Sequence, residues 1–326
     1  MPLLKAMKYL RLTTTDPYYN LAVEEYLLRH TQDDIFMLWQ NEKTVVIGKN
    51  QNAYAEVDLD AARDLGIRIA RRLSGGGAVY HDMGNVNYTF ITSSEKATAL
   101  DYAYFTRPIL DALASLGVNA ELSGRNDLEC AGKKFSGNAQ YTGDGRILHH
   151  GTLLFNTDAE MMSRVLRVDK EKLSFRAVKS HKARVGNLAP LLSGITVGDF
   201  IDRIEAHVLT ATDAERMDIP ENKDIEALRA RNASDEWIFS QKRYLMRYSV
   251  QRRKKYPFGI VSLDLSLAGD VIEEVVISGD FFGTRPISAL EEGLRGQSLT
   301  ALPDIDPSPY IAGMTMEELA SLLKDN

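Results

Sequence analysis

The sequence predicts an α+β protein in two parts: a mixed β-sheet domain with flanking helices over residues 1–248, and a small C-terminal α+β domain over residues 249–326. Three observations predict this. A chain of 326 residues has room for two domains at roughly 100–200 residues each. Its centre is rich in short apolar runs set between helical patterns, without the strict alternation of a doubly wound fold. A basic run, Arg252-Arg253-Lys254-Lys255, then separates that centre from a strongly alternating hairpin followed by helices.

Asp16-Pro17 opens a helix over residues 18–30, where Leu21, Ala22, Val23, Tyr26, Leu27 and Leu28 recur at helical spacing. The apolar runs Ile35–Trp39 and Thr44–Ile47, separated by four polar residues and closed by Gly48, predict a hairpin. Residues 57–65 read as a helix ended by Gly66. Residues 67–70 read as a strand that runs into Arg71-Arg72-Leu73-Ser74-Gly75-Gly76-Gly77, where the chain must change direction. Strands follow at 78–80 and 86–91, then an amphipathic helix at 102–116 stopped by Gly117. Further strands are predicted at 118–122, 126–130, 134–141 and 148–155. Residues 166–188, rich in Lys and Arg and irregular in period, read mostly as loop, and helices at 197–211, 225–231 and 235–246 complete the first part. Arg252 to Lys255 read as an exposed hinge that can attract an acidic partner. Beyond it, strands at 259–267 and 271–278 flank an Ala268-Gly269-Asp270 turn, with helices at Ile287–Leu294 and 316–323.

The composition narrows the function. A formal charge of −6 gives no general excess of positive charge, which argues against nucleic acid or an anionic membrane as partner. Cys130 is the single cysteine, so an internal disulfide and an all-thiolate metal site are excluded. The N-terminal stretch lacks a signal-peptide core, and no uncharged apolar run approaches the ~20 residues that span a bilayer, so a soluble cytoplasmic protein is expected.

Three motifs carry chemistry. The triple glycine after a basic pair lets backbone N–H groups approach anionic oxygens, beside an arginine suited to phosphate. Its spacing is neither that of a Walker A loop nor that of a dinucleotide fingerprint, and taken alone it fits a plain turn equally well. Gly132-Lys133-Lys134 opens a strand, so the two lysines face opposite sides and one can enter a site while the other stays in water. His149-His150 also lie on one strand, which makes a metal clamp from both implausible.

In order, RRLSGGGAVYHDMGNVNYTF, GRNDLECAGKKFSGNAQ and HHGTLLFNTD resemble the lipoate-protein ligase A family of the biotin/lipoate ligase superfamily. NLAVEEYLL, FMLWQNEKTVVIGKNQNAYAEV and KSHKARVGNL extend the resemblance over most of residues 18–200, and the C-terminal region resembles the accessory domain of the longer bacterial ligases. The resemblance implies a biotin/lipoate ligase-like catalytic domain and an ATP-dependent, AMP-forming ligase. Lipoic acid becomes lipoyl-AMP with release of pyrophosphate, usually with Mg²⁺. The lipoyl group then passes to a lysine of lipoyl domains of 2-oxoacid dehydrogenase E2 subunits or of the glycine-cleavage H protein.

By the same resemblance, Arg72, Gly77, Ala78, Val79 and Tyr80 contact ATP, as does Lys134, and Ser74, Gly75, Gly76, His81, Asn85 and His149 line the lipoate path. Lys134, rather than Lys133, is the catalytic residue between adenylate and lipoyl carbonyl. Asn126 and Asp127 sit either near the nucleotide and Mg²⁺ or in a local cap. Trp39 either walls the acyl tunnel or packs in the core, and His149 is either a ligand contact or a hydrogen-bonded core histidine. Residues 176–184 are either the match of a family loop that orders over the adenylate or a solvated charge run. Rival readings are an octanoyl- or lipoyl-transferase that works without ATP, for which Cys130 is the only thiol, and a lipoate-sensing binding protein, for which no helix-turn-helix is visible. A biotin ligase is disfavoured because SGGGAVYH stands where its glycine-arginine-rich loop would be.

Overall fold

The structure, a computed structural model, describes residues 6–167, 185–219 and 222–324. The family loop expected at 176–184 lies outside them. The strands are β1 (Lys8–Arg11), β2 (Ile35–Trp39), β3 (Thr44–Ile47), β4 (Arg68–Arg71), β5 (Val79–His81), β6 (Asn85–Ser93), β7 (Glu121–Ser123), β8 (Asp127–Cys130), β9 (Lys133–Gly143), β10 (Arg146–Leu154), β11 (Glu215–Arg216), β12 (Val250–Tyr256), β13 (Gly259–Ala268) and β14 (Val271–Gly279). Among the described residues they form an eight-stranded sheet in the order β11-β1-β2-β6-β10-β9-β8-β7 and two three-stranded sheets, β4-β3-β5 and β12-β13-β14. The large sheet is mixed: β1 runs parallel to β2 and β11, and the remaining pairs are antiparallel.

Register decides what each face of the large sheet carries, because residues paired across antiparallel strands point the same way. His149, Phe90 and Phe36 form one row, on the face covered by helices Tyr102–Ser115 and Val197–Thr212, with Phe105, Ile109, Phe200 and Ile204 in the core between. His150, Thr89 and Met37 form the next row, on the opposite face, followed there by Thr152, Asn87 and Trp39. Helix Pro17–His30 packs on that second face through Leu21, Leu27 and Leu28. Asp16 caps this helix by accepting from the Tyr18 N–H, Pro17 sits in its first turn, and Arg29 and His30 sit at its C-terminal end, where the helix dipole favours positive charge.

The pair Ile35–Trp39 and Thr44–Ile47 is not a hairpin. β2 lies between β1 and β6 in the large sheet, while β3 is the middle strand of the small sheet. Both strands are buried throughout, so neither has a polar face to reveal its neighbours, and non-local pairing overrides proximity in sequence. The expected helix at 57–65 is two short ones, Ala53–Glu56 and Leu59–Asp64, with Asp58 capping the second. The expected helix at 235–246 breaks at Ser240, which adopts a left-handed φ of 47°.

Arg252 to Lys255 are not a hinge but part of β12, paired with β13 from Val250 to Tyr256. Long basic side chains suit such an edge strand, because they discourage further strand addition. Beyond β12 the chain has its own core, in which Val261, Leu263, Leu265, Val275 and Ile277 of the hairpin meet Leu290, Leu294, Leu319 and Leu323 of two helices. This C-terminal part touches the glycine turn: Gly76 N–H donates to Phe281 O at 3.2 Å, and Gly279 N–H donates to Asn50 O at 2.9 Å.

Candidate active site

A cavity of about 120 Å³ lies between the second face of the large sheet and the β4-β3-β5 sheet. Leu21, Trp39 and Val46 give it an apolar wall; Arg72, Gly76, Gly77, Ala78, Val79 and His81 form the small-sheet side. Asn87, Lys134, Gly137, Asn138, His150 and Thr152 come from the large sheet, Asn126 precedes β8, and Phe282 reaches in from the C-terminal part.

The glycine turn owes its composition to close approaches. A Cβ on Gly75 would meet Phe281 O at 2.4 Å, and Gly76 adopts φ +88° beside the Phe282 ring. The Arg72 guanidinium is buried inside this turn. Nε donates to Ser74 Oγ at 3.0 Å, one Nη to Val46 O at 3.2 Å, and the other to Gly75 O at 2.7 Å and Gly77 O at 2.8 Å. Burial lowers its pKa to about 10, still far above neutrality, so it remains a cation. Arg72 therefore clasps the turn with three of its five N–H groups, ties it to β3 with a fourth, and leaves one without a protein partner. Arg71 beside it clamps Gly48, Lys49, Gln51, Trp237 and Ile238 through their carbonyls.

Lys134 reaches the cavity through a β-bulge. Leu128 pairs with Ser136 but Glu129 with Lys134, so Phe135 is an extra residue on β9. Phe135 packs in the first core, Ser136 is fully buried opposite Leu128, and Lys134 is re-aimed onto the face of Gly137, where its Nζ lies 3.4 Å from the position a Cβ would take. Lys134 Nζ pairs with Asp127 Oδ1 at 2.7 Å and its side chain is 37% exposed, which places it at the mouth of the cavity. Lys133 is exposed.

Behind the apolar wall runs a buried polar chain that the sequence reading missed. Trp39 Nε1 donates to Thr89 Oγ1 at 2.9 Å, and Thr89 donates to Glu24 Oε1 at 2.5 Å. His150 Nδ1 lies 3.1 Å and 3.2 Å from the two Glu24 oxygens, and His150 Nε2 lies 2.7 Å from Ser74 Oγ. Because a carboxylate only accepts, the His150 proton sits on Nδ1. His150 Nε2 shares a hydrogen bond with the Ser74 hydroxyl, which also accepts from Arg72. Glu24 thus anchors, through His150, the same serine that Arg72 holds. Its signal in the sequence was an acidic pair, Glu24-Glu25, on an otherwise apolar helix; both are buried.

Of the residues expected in the site, Arg72, Gly76, Gly77, Ala78, Val79, His81 and Lys134 line the cavity, while Ser74, Gly75, Tyr80, Asn85 and His149 do not. Strand alternation accounts for two of these. His149 faces the other core, stacked on Phe105 at 4.9 Å and bonded to Gln140 and Asn138, so it is the hydrogen-bonded core histidine and His150 is the wall residue. Tyr80 points away from Val79 and His81 into the cluster of Val45, Ile47 and Ala53. Asn85 is fully buried and donates to Asn87, which takes the place in the wall. Ser74 and Gly75 belong to the turn but lie outside the cavity lining, Asp127 reaches the site through Lys134, and Trp39 is at once wall and core. Cys130 is half-buried beside the first core and outside the cavity lining.

Fold and site together define a ligase of the lipoate type. The fold is similar to a crystal structure of lipoate-protein ligase A bound with ATP, at TM-score 0.59 and 25% identity over 72% of this chain and 99% of that one. It is also similar to the bi-partite lipoate protein ligase of Thermoplasma acidophilum, at TM-score 0.65 and 27% identity over 76% of this chain and 99% of that one. Residues 16–209 match the lipoyl protein ligase A/B catalytic domain, and residues 246–323 match the bacterial lipoate protein ligase C-terminus. The lipoate-protein ligase LplJ of Bacillus subtilis is 34% identical over 325 residues, covering 94% of this chain and 97% of that protein. The chain belongs to the lipoate-protein ligase family.

Proposed function

We propose that the protein activates lipoate with ATP and transfers the lipoyl group to an acceptor lysine. In the first step a lipoate carboxylate oxygen attacks the α-phosphorus of ATP, a P–O bond breaks, and pyrophosphate leaves. In the second the acceptor amine attacks the carbonyl of the mixed anhydride, AMP leaves, and the amine gives up its proton. The observation that carries the reading is Lys134 at the cavity mouth, brought there by the bulge at Phe135, in the wall that also contains the glycine turn. Both steps build negative charge on phosphate and carbonyl oxygens, which a fixed ammonium stabilises. In this reading Gly76 to Val79 and the remaining Arg72 N–H receive the nucleotide. The acyl chain lies along Trp39, Leu21 and His150.

Mg²⁺ fits as a companion of the nucleotide. Among the described residues there is no cluster of three metal-binding side chains, and Asp127, next to Lys134, is the carboxylate at hand. Magnesium is commonly held by substrate phosphates, water and one or two carboxylates, and it would neutralise phosphate charge there. Acceptors on this reading are lipoyl domains; the Thermoplasma ligase was solved as part of a system with its E2 lipoyl domain. No helix among the described residues is long and apolar enough to cross a membrane, and we place the reaction in the cytoplasm.

The test is to incubate protein, ATP, Mg²⁺, lipoate and a lipoyl domain, omit each in turn, and measure the acceptor mass. A lipoyl mass shift that requires every component is expected; a shift without ATP would favour a transferase. Lys134→Ala should fold normally yet lose lipoate-dependent pyrophosphate exchange, and exchange at the wild-type rate would remove Lys134 from the mechanism.

A further inference from the structure

The buried end of the cavity carries polar atoms that an acyl-chain pocket does not need. His81, Asn87 and Trp39 there are 3%, 2% and 4% exposed. The Nε2 of His81 and the Nδ2 of Asn87 are both buried without a hydrogen-bond partner, and both residues line the cavity. Asn87 points into it, because it shares its row with Trp39 and Thr152, which also line it.

The proton on His81 is fixed by its surroundings. Asn20 Nδ2 faces Thr14 O, Gln40 O and Asn41 Oδ1 at 3.2, 2.9 and 2.9 Å, so it is the donor and Asn41 Oδ1 accepts. Asn41 Nδ2 is then the atom 3.1 Å from His81 Nδ1, which must accept. The ring proton is therefore on Nε2, the unpartnered atom. Asn87 Oδ1 is likewise occupied, by Asn85 Nδ2 at 2.9 Å, which leaves Nδ2 free. Two N–H donors thus face a cavity that the Trp39 ring, Leu21 and Val46 also line, with Thr152 beside Asn87.

Resting on the proposed lipoate activation, we propose that His81 and Asn87 form a sulfur-selecting subsite, in which their unpartnered N–H groups meet the dithiolane end of the acyl chain. A disulfide sulfur is a weak acceptor but a real one, whereas a hydrocarbon terminus leaves both donors desolvated and unmet. The site discriminates by penalising the saturated acid more than by rewarding the sulfur. Rejection through unpaired buried polar groups is the stronger form of selectivity.

The test compares two acids of similar shape, lipoate and 5-cyclopentylpentanoate, in competition for ligation to a lipoyl domain by the wild-type protein. Preference for lipoate in kcat/KM by roughly tenfold or more is expected, since one unmet buried donor suffices for that factor. Asn87→Leu, which keeps the volume and removes the donor, should shift the ratio toward the carbocycle and toward octanoate by about tenfold. Equal use of lipoate and the carbocycle by an active wild-type protein would overturn the subsite, as would an unchanged ratio in an active Asn87→Leu. If the wild type ligates none of these acids, the proposed activity itself falls, and this inference with it. The carbocycle comparison needs no variant and stands even where Asn87→Leu does not fold.

Discussion

Replacing Glu24 by glutamine should loosen the glycine turn from behind. The carboxylate is 3% exposed and accepts from the Thr89 hydroxyl and from His150 Nδ1. Glutamine keeps one acceptor oxygen, which Thr89 and His150 must then share, and puts an NH₂ in place of the other, against His150 Nδ1. A hydrogen bond to a buried charged group contributes about 1.5–3 kcal/mol, and with the second bond weakened the loss is roughly 2–4 kcal/mol, offset in part because a neutral amide is easier to bury. At about 2–4 °C per kcal/mol for a domain of this size, Tm should fall by roughly 4–16 °C in calorimetry. The same change frees His150, which no longer holds Ser74 Oγ at 2.7 Å, so the turn that Arg72 clasps loses its second anchor. If about 1–2 kcal/mol of the loss is expressed at the turn, kcat/KM for lipoate falls roughly 5–30-fold. An unchanged Tm together with unchanged kcat/KM would refute the reasoning, and a lowered Tm with full activity would confine Glu24 to a packing role.

Burial lowers the pKa of His81 from 6.5 to about 3, and that of His149 well below its usual value. Both are neutral when folded but protonate on unfolding below about pH 6.5, so the stability they confer is present at neutral pH and lost as pH falls from 6.5 toward 3. At pH 5 the cost is on the order of 2 kcal/mol for His81, and a His81→Gln variant should show a shallower fall of Tm between pH 6.5 and 4.5; parallel curves would contradict this. Cys130→Ala should retain ATP-dependent lipoylation at close to the wild-type rate, since the thiol stands outside the cavity lining, whereas loss of transfer with intact pyrophosphate exchange would point to a thioester route.

Helix positions were legible because periodicity and caps are local: Asp16-Pro17 marks the first helix, and the apolar spacing of 197–211 falls within the observed Val197–Thr212. The hairpin reading of Ile35–Trp39 and Thr44–Ile47 failed where both strand faces are apolar and only distant partners decide the sheet. Reading Arg252 to Lys255 as a hinge failed for a related reason, since a charged edge strand and a solvated linker have the same composition.

The sequence by itself determined that the glycine turn, the lysine pair and the histidine pair occur in one order, which was enough to indicate lipoate ligase chemistry. Alternation could say that one residue of each pair enters the site. For the lysines the family resemblance had pointed to Lys134, and tertiary structure supplies the cause, the bulge at Phe135 that aims it; for the histidines tertiary structure alone decided, because the register of β10 against β6 turns His150 inward and stacks His149 on Phe105. Strand period is a local property, whereas the face that becomes the site depends on which helices cover each side. Asn87, Lys134 and Phe282 come from segments far apart in the chain, and no spacing in the sequence announces their meeting around one cavity.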